Sequence, residues 1–228
     1  MQFDPATQLF YDELERHLFK RIDDGLVTAM TAAAMSTKLR QVANGGVYLD
    51  TPTLANGLKA VKAERKWKHL HQIKVDALRD LIDELQGSPL LVAYDFEHDL
   101  DRLRKAFPKA VFACDYPAKR FVEMERDWNA GKIEVLFGHP QSIGHGLNLQ
   151  GAGHHVAWHS LTWDFDLYDQ FCRRVYRQGN SNKRVFIHRI IMLGTIDTIM
   201  VRALTSKEAG QQALFDGLVA LKKERLRG

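Results

Sequence analysis

The sequence predicts an α/β fold, a parallel sheet flanked by helices with an extra helical section at the N-terminus. Three observations predict it. Short apolar runs such as Leu90-Leu91-Val92-Ala93-Tyr94 have the length and composition of strands buried on both faces. Helix-patterned stretches alternate with them, as βαβ units require. From Leu9 to Val42 the pattern is helical. With 228 residues, 45% hydrophobic content and 26% charged content, the chain can bury a sizeable core without staples.

Leu9, Phe10, Leu14, Leu18 and Ile22 recur at helical spacing until Asp23-Asp24-Gly25 interrupts them. A second helix is expected from about Val27 to Val42, ended by Asn44-Gly45-Gly46, and Thr51 to Ala63 reads as loop. Val75, Leu78, Leu81, Ile82 and Leu85 mark an amphipathic helix closed by Gly87 and Pro89. Strands are expected at 90–94, 110–113, 133–137, 155–159 and 184–191, and helices at 97–107, 118–130 and 166–177. Two closing helices cover 197–204 and 208–225. The division is a helical section at 1–73, a sheet domain at 74–204 and a basic closing helix at 205–228. Ligands of such sheets are expected at the carboxyl ends of the strands.

No apolar run approaches the ~18 residues of a membrane span, and the N-terminus lacks a basic-then-apolar export pattern, so a membrane partner is not expected and the cytoplasm is. Two cysteines, Cys114 and Cys172, do not make a disulfide framework. The net charge is only +4, but it is clustered. Gly217–Gly228 carries +3, Val61–Lys74 carries +4, and Gln170–Arg189 holds six Lys/Arg and no acid. Such clusters hold phosphates where an averaged surface does not.

Two constellations carry chemistry. In the loop after 133–137, Gly144 and Gly146 let backbone amides approach a ligand, and Asn148 and Gln150 add polar side chains. An ordinary strand-to-helix turn accounts for the two glycines equally well. The second is Gln170-Phe171-Cys172-Arg173-Arg174-Val175-Tyr176-Arg177-Gln178-Gly179-Asn180. On a helix Gln170, Arg174 and Arg177 share one face, and two guanidiniums there meet phosphate oxygens as forks. A solvated basic face is the alternative, weakened by the missing acids.

Together these motifs resemble motifs V and VI of superfamily 2 helicases of the SWI/SNF-like branch. The sixth motif, Gln-x-x-x-Arg-x-x-Arg-x-Gly-Gln, is met from Gln170 to Asn180, and Gly-x-Gly-Leu-Asn-Leu is met from Gly144 to Leu149. The wording of 139–150 and of 161–170 is closest to the phage and prophage variant. Ser36 to Gly45 resembles the segment that opens the second motor lobe, Lys74 to Phe96 its helix and motif IV strand, Arg120 with Trp128-Asn129 its next helix, and Thr195-Ile196-Asp197 its closing helix. Three positions depart: Asn180 replaces Gln, Ile143 a glycine, and Ser160 an Asp.

The chain contains no Gly-x-x-x-x-Gly-Lys-Ser/Thr and no Asp-Glu-x-His. The resemblance is therefore to the second RecA-like lobe alone. It implies that ATP with Mg²⁺ is held by a first RecA-like lobe outside this chain. It also implies catalytic roles for Arg174 and Arg177, nucleotide contact by Gln170, Gly144 and Gly146, and sequence-independent DNA contact by Asn148, Lys119 and Arg120. The Lys62–Lys74 cluster is a second candidate for DNA. The alternative is a non-catalytic DNA- or protein-binding module that keeps the motor fold. A metal site among His139, His145, His154, His155 and His159 is not expected, because tetrahedral sites want about four ligands, usually with some Cys. Cys172 and most of Trp128, Trp158, Trp163, Phe171 and Tyr176 are expected in the core.

Overall fold

The computed structural model describes residues 1–23, 29–49, 66–143, 146–180, 182, 184–206 and 211–225. Two long helices come first, α1 (Pro5–Asp23) and α2 (Ala29–Asn44). Gly45 ends α2 at φ +101, a conformation open to glycine, and a side chain there would run into the His71 carbonyl and the Arg102 guanidinium. The chain then forms a small antiparallel pair, β1 (Gly46–Tyr48) with β2 (Trp67–His69). The sequence gives no sign of this pair, because strands of three residues are too short to show a period. The loop expected at 51–63 lies outside the described residues.

The sheet domain follows: α3 (Ile73–Glu84), β3 (Leu90–Ala93), α4 (Glu97–Ala106), β4 (Val111–Phe112), α5 (Phe121–Asn129), β5 (Val135–Gly138), the single turn α6 (Pro140–Ile143), β6 (His155–Trp158), α7 (Phe165–Cys172) and β7 (Phe186–Arg189). Short 3₁₀ turns at Ala113–Asp115 and Ala118–Arg120 lead into α5. The five strands are parallel in the order β4-β5-β3-β6-β7. Helices α8 (Ile196–Ser206) and α9 (Gln211–Arg225) close the described chain. Every strand expected from the sequence is present, somewhat shortened.

Alternation along the strands builds two cores. Leu91, Ala93, Leu136, Val156 and Trp158 face one side, with Trp128, Phe171 and Val175 packed on them. Leu90, Val92, Val135, Phe137 and Ala157 face the other, under Val75, Leu78 and Leu103. Trp128, Trp158, Phe171 and Cys172 are buried as expected; the Trp158 indole stacks on Tyr168 at 4.7 Å. A third core, with Tyr11, Leu18, Leu39, Val42, Ile196, Ile199 and Leu218, ties the N-terminal helices to α8 and α9. Both cysteines are free, Cys114 exposed and Cys172 buried. Among the described residues, no helix is long and apolar enough to cross a membrane.

A buried polar cluster joins these cores. Lys74 Nζ lies 2.6 Å from Asp197 Oδ2 and donates to Asn44 Oδ1 at 2.8 Å. The Asn44 amide donates to Asp99 Oδ2 at 3.0 Å and Ser160 Oγ at 2.9 Å, and the Ser160 hydroxyl donates to Asp99 at 2.6 Å. Arg102 pairs with Asp99 Oδ1 at 2.8 Å. Two cations thus meet two carboxylates, so each buried charge has an opposite charge and hydrogen-bond partners that offset part of its desolvation. The side chain of Lys74 is 0% exposed, which corrects its place in the candidate DNA-binding cluster: it is an internal counter-ion. Lys62 and Arg65 of that cluster lie outside the described residues. The departure at Ser160 is absorbed here, because its hydroxyl bridges Asn44 and Asp99.

Candidate phosphate-binding site

The arginine segment folds differently from the continuous helix expected. Helix α7 is started by Asp164, whose carboxylate accepts the Leu167 N–H at 2.9 Å, and it ends at Cys172. Beyond it the N–H groups of Arg174 and Val175 reach back only three residues, to Phe171 and Cys172. The reason is tertiary: the Arg174 carbonyl accepts the Leu149 N–H at 3.0 Å. Gly179 completes the turn at φ +99, and the Asn180 amide donates to the carbonyls of Val175 at 2.9 Å and Gly153 at 3.0 Å. The shorter amide at 180 therefore still fastens the turn.

Gln170, Arg174 and Arg177 nevertheless line one cavity of about 600 Å³, with Arg173, Tyr176 and Gln178. Arg173 is paired with Asp169 one turn back. Tyr176, unlike the other aromatics of this region, is 65% exposed and lines the cavity rather than the core. Arg174 donates through Nη1 to the Leu147 carbonyl at 3.1 Å, and Arg177 donates through Nη1 to the Asn148 side-chain oxygen. The two constellations picked out in the sequence, loop and arginine segment, are thus one assembly. Burial first, then the Arg177 charge, pull the Arg174 guanidinium below its ordinary pKa. Two neighbouring cations around a concavity relieve their repulsion when an anion enters between them.

Gly146 sits at φ +87 in the loop, exposed and with open space around its Cα. Gly144 and His145 lie outside the described residues. The cavity is not at the carboxyl ends of the strands, contrary to expectation. A parallel crossover must return the chain from the carboxyl end of β6 to the amino end of β7, so residues after α7 arrive at the amino side. The bonds of Asn180 to Gly153 and of Phe186 N–H to the His154 carbonyl, both just before β6, place them there. The carboxyl-end rule describes ligands held by the loops that leave the strands, whereas these residues lie in the connection from α7 to β7.

Lys119 and Arg120 are exposed and lie after β4, on the carboxyl side, away from the cavity. Arg120 pairs with Glu123 at 2.8 Å. Also on that side, Arg40 pairs with Asp95, which His139 Nε2 approaches to 3.2 Å. The paired histidines are His155 and His188, with ring nitrogens 3.0 Å apart. Among the described residues no group of three or more His, Cys, Asp or Glu side chains is placed to hold a metal.

No protein-family profile matches the chain. It is 36% identical over 212 residues to putative protein p41 of Acyrthosiphon pisum secondary endosymbiont phage 1, covering 91% of this chain and 42% of the relative. The chain therefore spans less than half the length of that relative. Among solved structures it is similar to the Sulfolobus solfataricus SWI2/SNF2 ATPase core in complex with dsDNA, with a TM-score of 0.62, 19% identity, and coverage of 99% of this chain and 47% of that one. The Sulfolobus core domain by itself gives 0.61, 19%, 92% and 44%. The C-terminal part of the Fun30 ATPase domain gives 0.54, 18%, 68% and 54%. The five-stranded parallel sheet with its flanking helices is thus the fold of a SWI2/SNF2 ATPase core, over about half of that core's length.

Proposed function

We propose that this chain is the second motor lobe of an ATP-dependent DNA helicase or translocase of the phage type, with residues 74–204 as the motor section proper. One observation carries the reading: Arg174 and Arg177 border a single open cavity, in a fold shared with SWI2/SNF2 ATPase cores, and are tied to the 147–149 loop. A first RecA-like lobe holds ATP and Mg²⁺. Arg174 and Arg177 reach across to the γ-phosphate and stabilise the charge that spreads over its oxygens during transfer. An arginine supplied in this way is worth about 10³ to 10⁵ in rate. Gln170 lies on the same wall and orients the arginines or touches nucleotide. Gly146 turns the loop that Asn148 holds against Arg177, and together with Gly144 it contacts the nucleotide.

DNA is gripped through its phosphates, without regard to sequence, by Lys119 and Arg120 on the opposite side of the sheet. Asn148 is oriented by its bond to Arg177, so any contact it makes with DNA is made alongside that bond. The work is done in the cytoplasm of the host. Reconstitution tests the proposal. Joined to its first lobe, the chain hydrolyses ATP and DNA stimulates the rate; alone it turns over essentially none. Robust hydrolysis by the 228-residue chain, or no stimulation by DNA in the assembled protein, refutes it.

A further inference from the structure

The loop that meets the arginines is held from behind by one face of α5. Glu125, Trp128 and Asn129 are spaced i, i+3, i+4 and so point the same way. The Glu125 carboxylate accepts the Asn148 N–H at 2.9 Å. The Trp128 indole donates to the Leu149 carbonyl at 2.8 Å. Asn129 acts twice: its amide donates to the Asn148 carbonyl at 2.8 Å, and its oxygen accepts the Gly151 N–H at 2.8 Å. The fit is close, since a Cβ at Gly151 would stand 2.8 Å from the Asn129 side chain. Four backbone groups of residues 148–151 are thereby matched by three side chains of one helix. The other side of the loop carries Arg177, bonded to the Asn148 side chain, and Arg174, bonded to the Leu147 carbonyl.

We propose that Asn129 is a positioning residue for Arg177. It touches neither nucleotide nor DNA. By clamping residue 148 on one side and residue 151 on the other, it fixes where the Asn148 oxygen stands, and that oxygen is the anchor of the exposed Arg177 guanidinium. Trp128 is fully buried and keeps its own bond to Leu149, so loss of Asn129 loosens the loop without opening the core. Asn129→Asp separates the two bonds: it keeps an acceptor for Gly151 and sets an oxygen against the Asn148 carbonyl. This inference rests on the motor-lobe reading only for its catalytic consequence.

Two measurements test it. In the isolated chain, the side-chain NH resonance of Arg177 is assigned by its disappearance in Arg177→Ala. It should stand apart from the other arginines in the parent and move into their envelope in Asn129→Ala, while the Trp128 indole signal stays. In the assembled two-lobed protein, Asn129→Ala should lower DNA-stimulated kcat by about tenfold to a hundredfold with the KM for ATP within about twofold, as misplacement of a positioned group does. Added to Arg177→Ala, it should cost nothing further; a merely structural residue costs the same factor in either background. An unmoved Arg177 resonance, or full additivity, overturns the proposal. If Arg177→Ala itself leaves turnover unchanged, the motor-lobe reading fails, and the resonance still decides whether Asn129 positions Arg177. Should Asn129→Ala not fold, Asn129→Asp carries both tests.

Discussion

Replacing Lys74 by methionine separates the two roles open to this lysine. The substitution keeps most of the aliphatic stem and removes the ammonium group. It leaves Asp197, 2% exposed, with the Met192 N–H at 2.9 Å as a remaining donor, and takes the 2.8 Å donor from Asn44. Removing one partner of a buried pair costs about 3–5 kcal/mol, because the other charge stays desolvated. With a urea slope of about 3 kcal/mol/M, the unfolding midpoint should fall by about 1 to 2 M. Lys74→Met combined with Asp197→Asn, which removes both charges, should recover part of that loss. The assay is equilibrium urea unfolding followed by far-UV circular dichroism, with DNA affinity of the folded variant measured in parallel. A midpoint within about 0.3 M of the parent, which in free energy is under about 1 kcal/mol, would refute the internal role. A selective loss of DNA affinity would refute it too.

Three further outcomes follow from the same geometry. Burial pushes His159 down to about 3 and His71 down to about 4, whereas both take up protons near pH 6.5 when unfolded. Stability should therefore be full above pH 6.5 and fall as pH drops toward 4, by up to about 1.4 kcal/mol per pH unit for each histidine; urea midpoints at pH 7, 6 and 5 that do not change would contradict it. Cys172 is buried and its thiol is pushed up to about 11, while Cys114 is exposed. A thiol reagent should modify one cysteine in the folded chain and a second only after denaturation, and fast reaction of both would count against the packing around Phe171. Lys119→Ala combined with Arg120→Ala should lower the slope of log affinity for DNA against log salt by about 2 without destabilising the fold, since the Arg120–Glu123 pair is on the surface. An unchanged slope would move the DNA contact elsewhere.

The alternation of strands and helices was legible because β3, β5 and β6 are buried on both faces and are built almost entirely of apolar residues, His155 at the start of β6 excepted. The gathering of Gln170, Arg174 and Arg177 was legible too, although the helix that suggested it stops at Cys172. Nothing local announces that stop before Gly179. The bond from the Leu149 N–H to the Arg174 carbonyl diverts the chain, and its donor belongs to a distant segment. Lys74 is illegible for the same reason. A lysine beside Val75 and Leu78 looks like any basic residue of an amphipathic helix until Asp197 is brought beside it. The side of the sheet that carries the arginines is set by crossover topology rather than by any motif. In the sequence Asn129 is marked only by the Trp128-Asn129 resemblance and Glu125 by nothing; their roles were illegible because their partners are backbone groups of a loop whose path depends on the whole domain.

In the proposed motor, two guanidiniums of this chain act on a triphosphate held by another lobe. The direct measurement is DNA-stimulated ATP turnover of the assembled protein carrying Arg174→Ala or Arg177→Ala, each shown to fold by its urea midpoint. A fall of about 10³-fold or more in kcat for each variant is the predicted result. Turnover equal to that of the parent for either would contradict it.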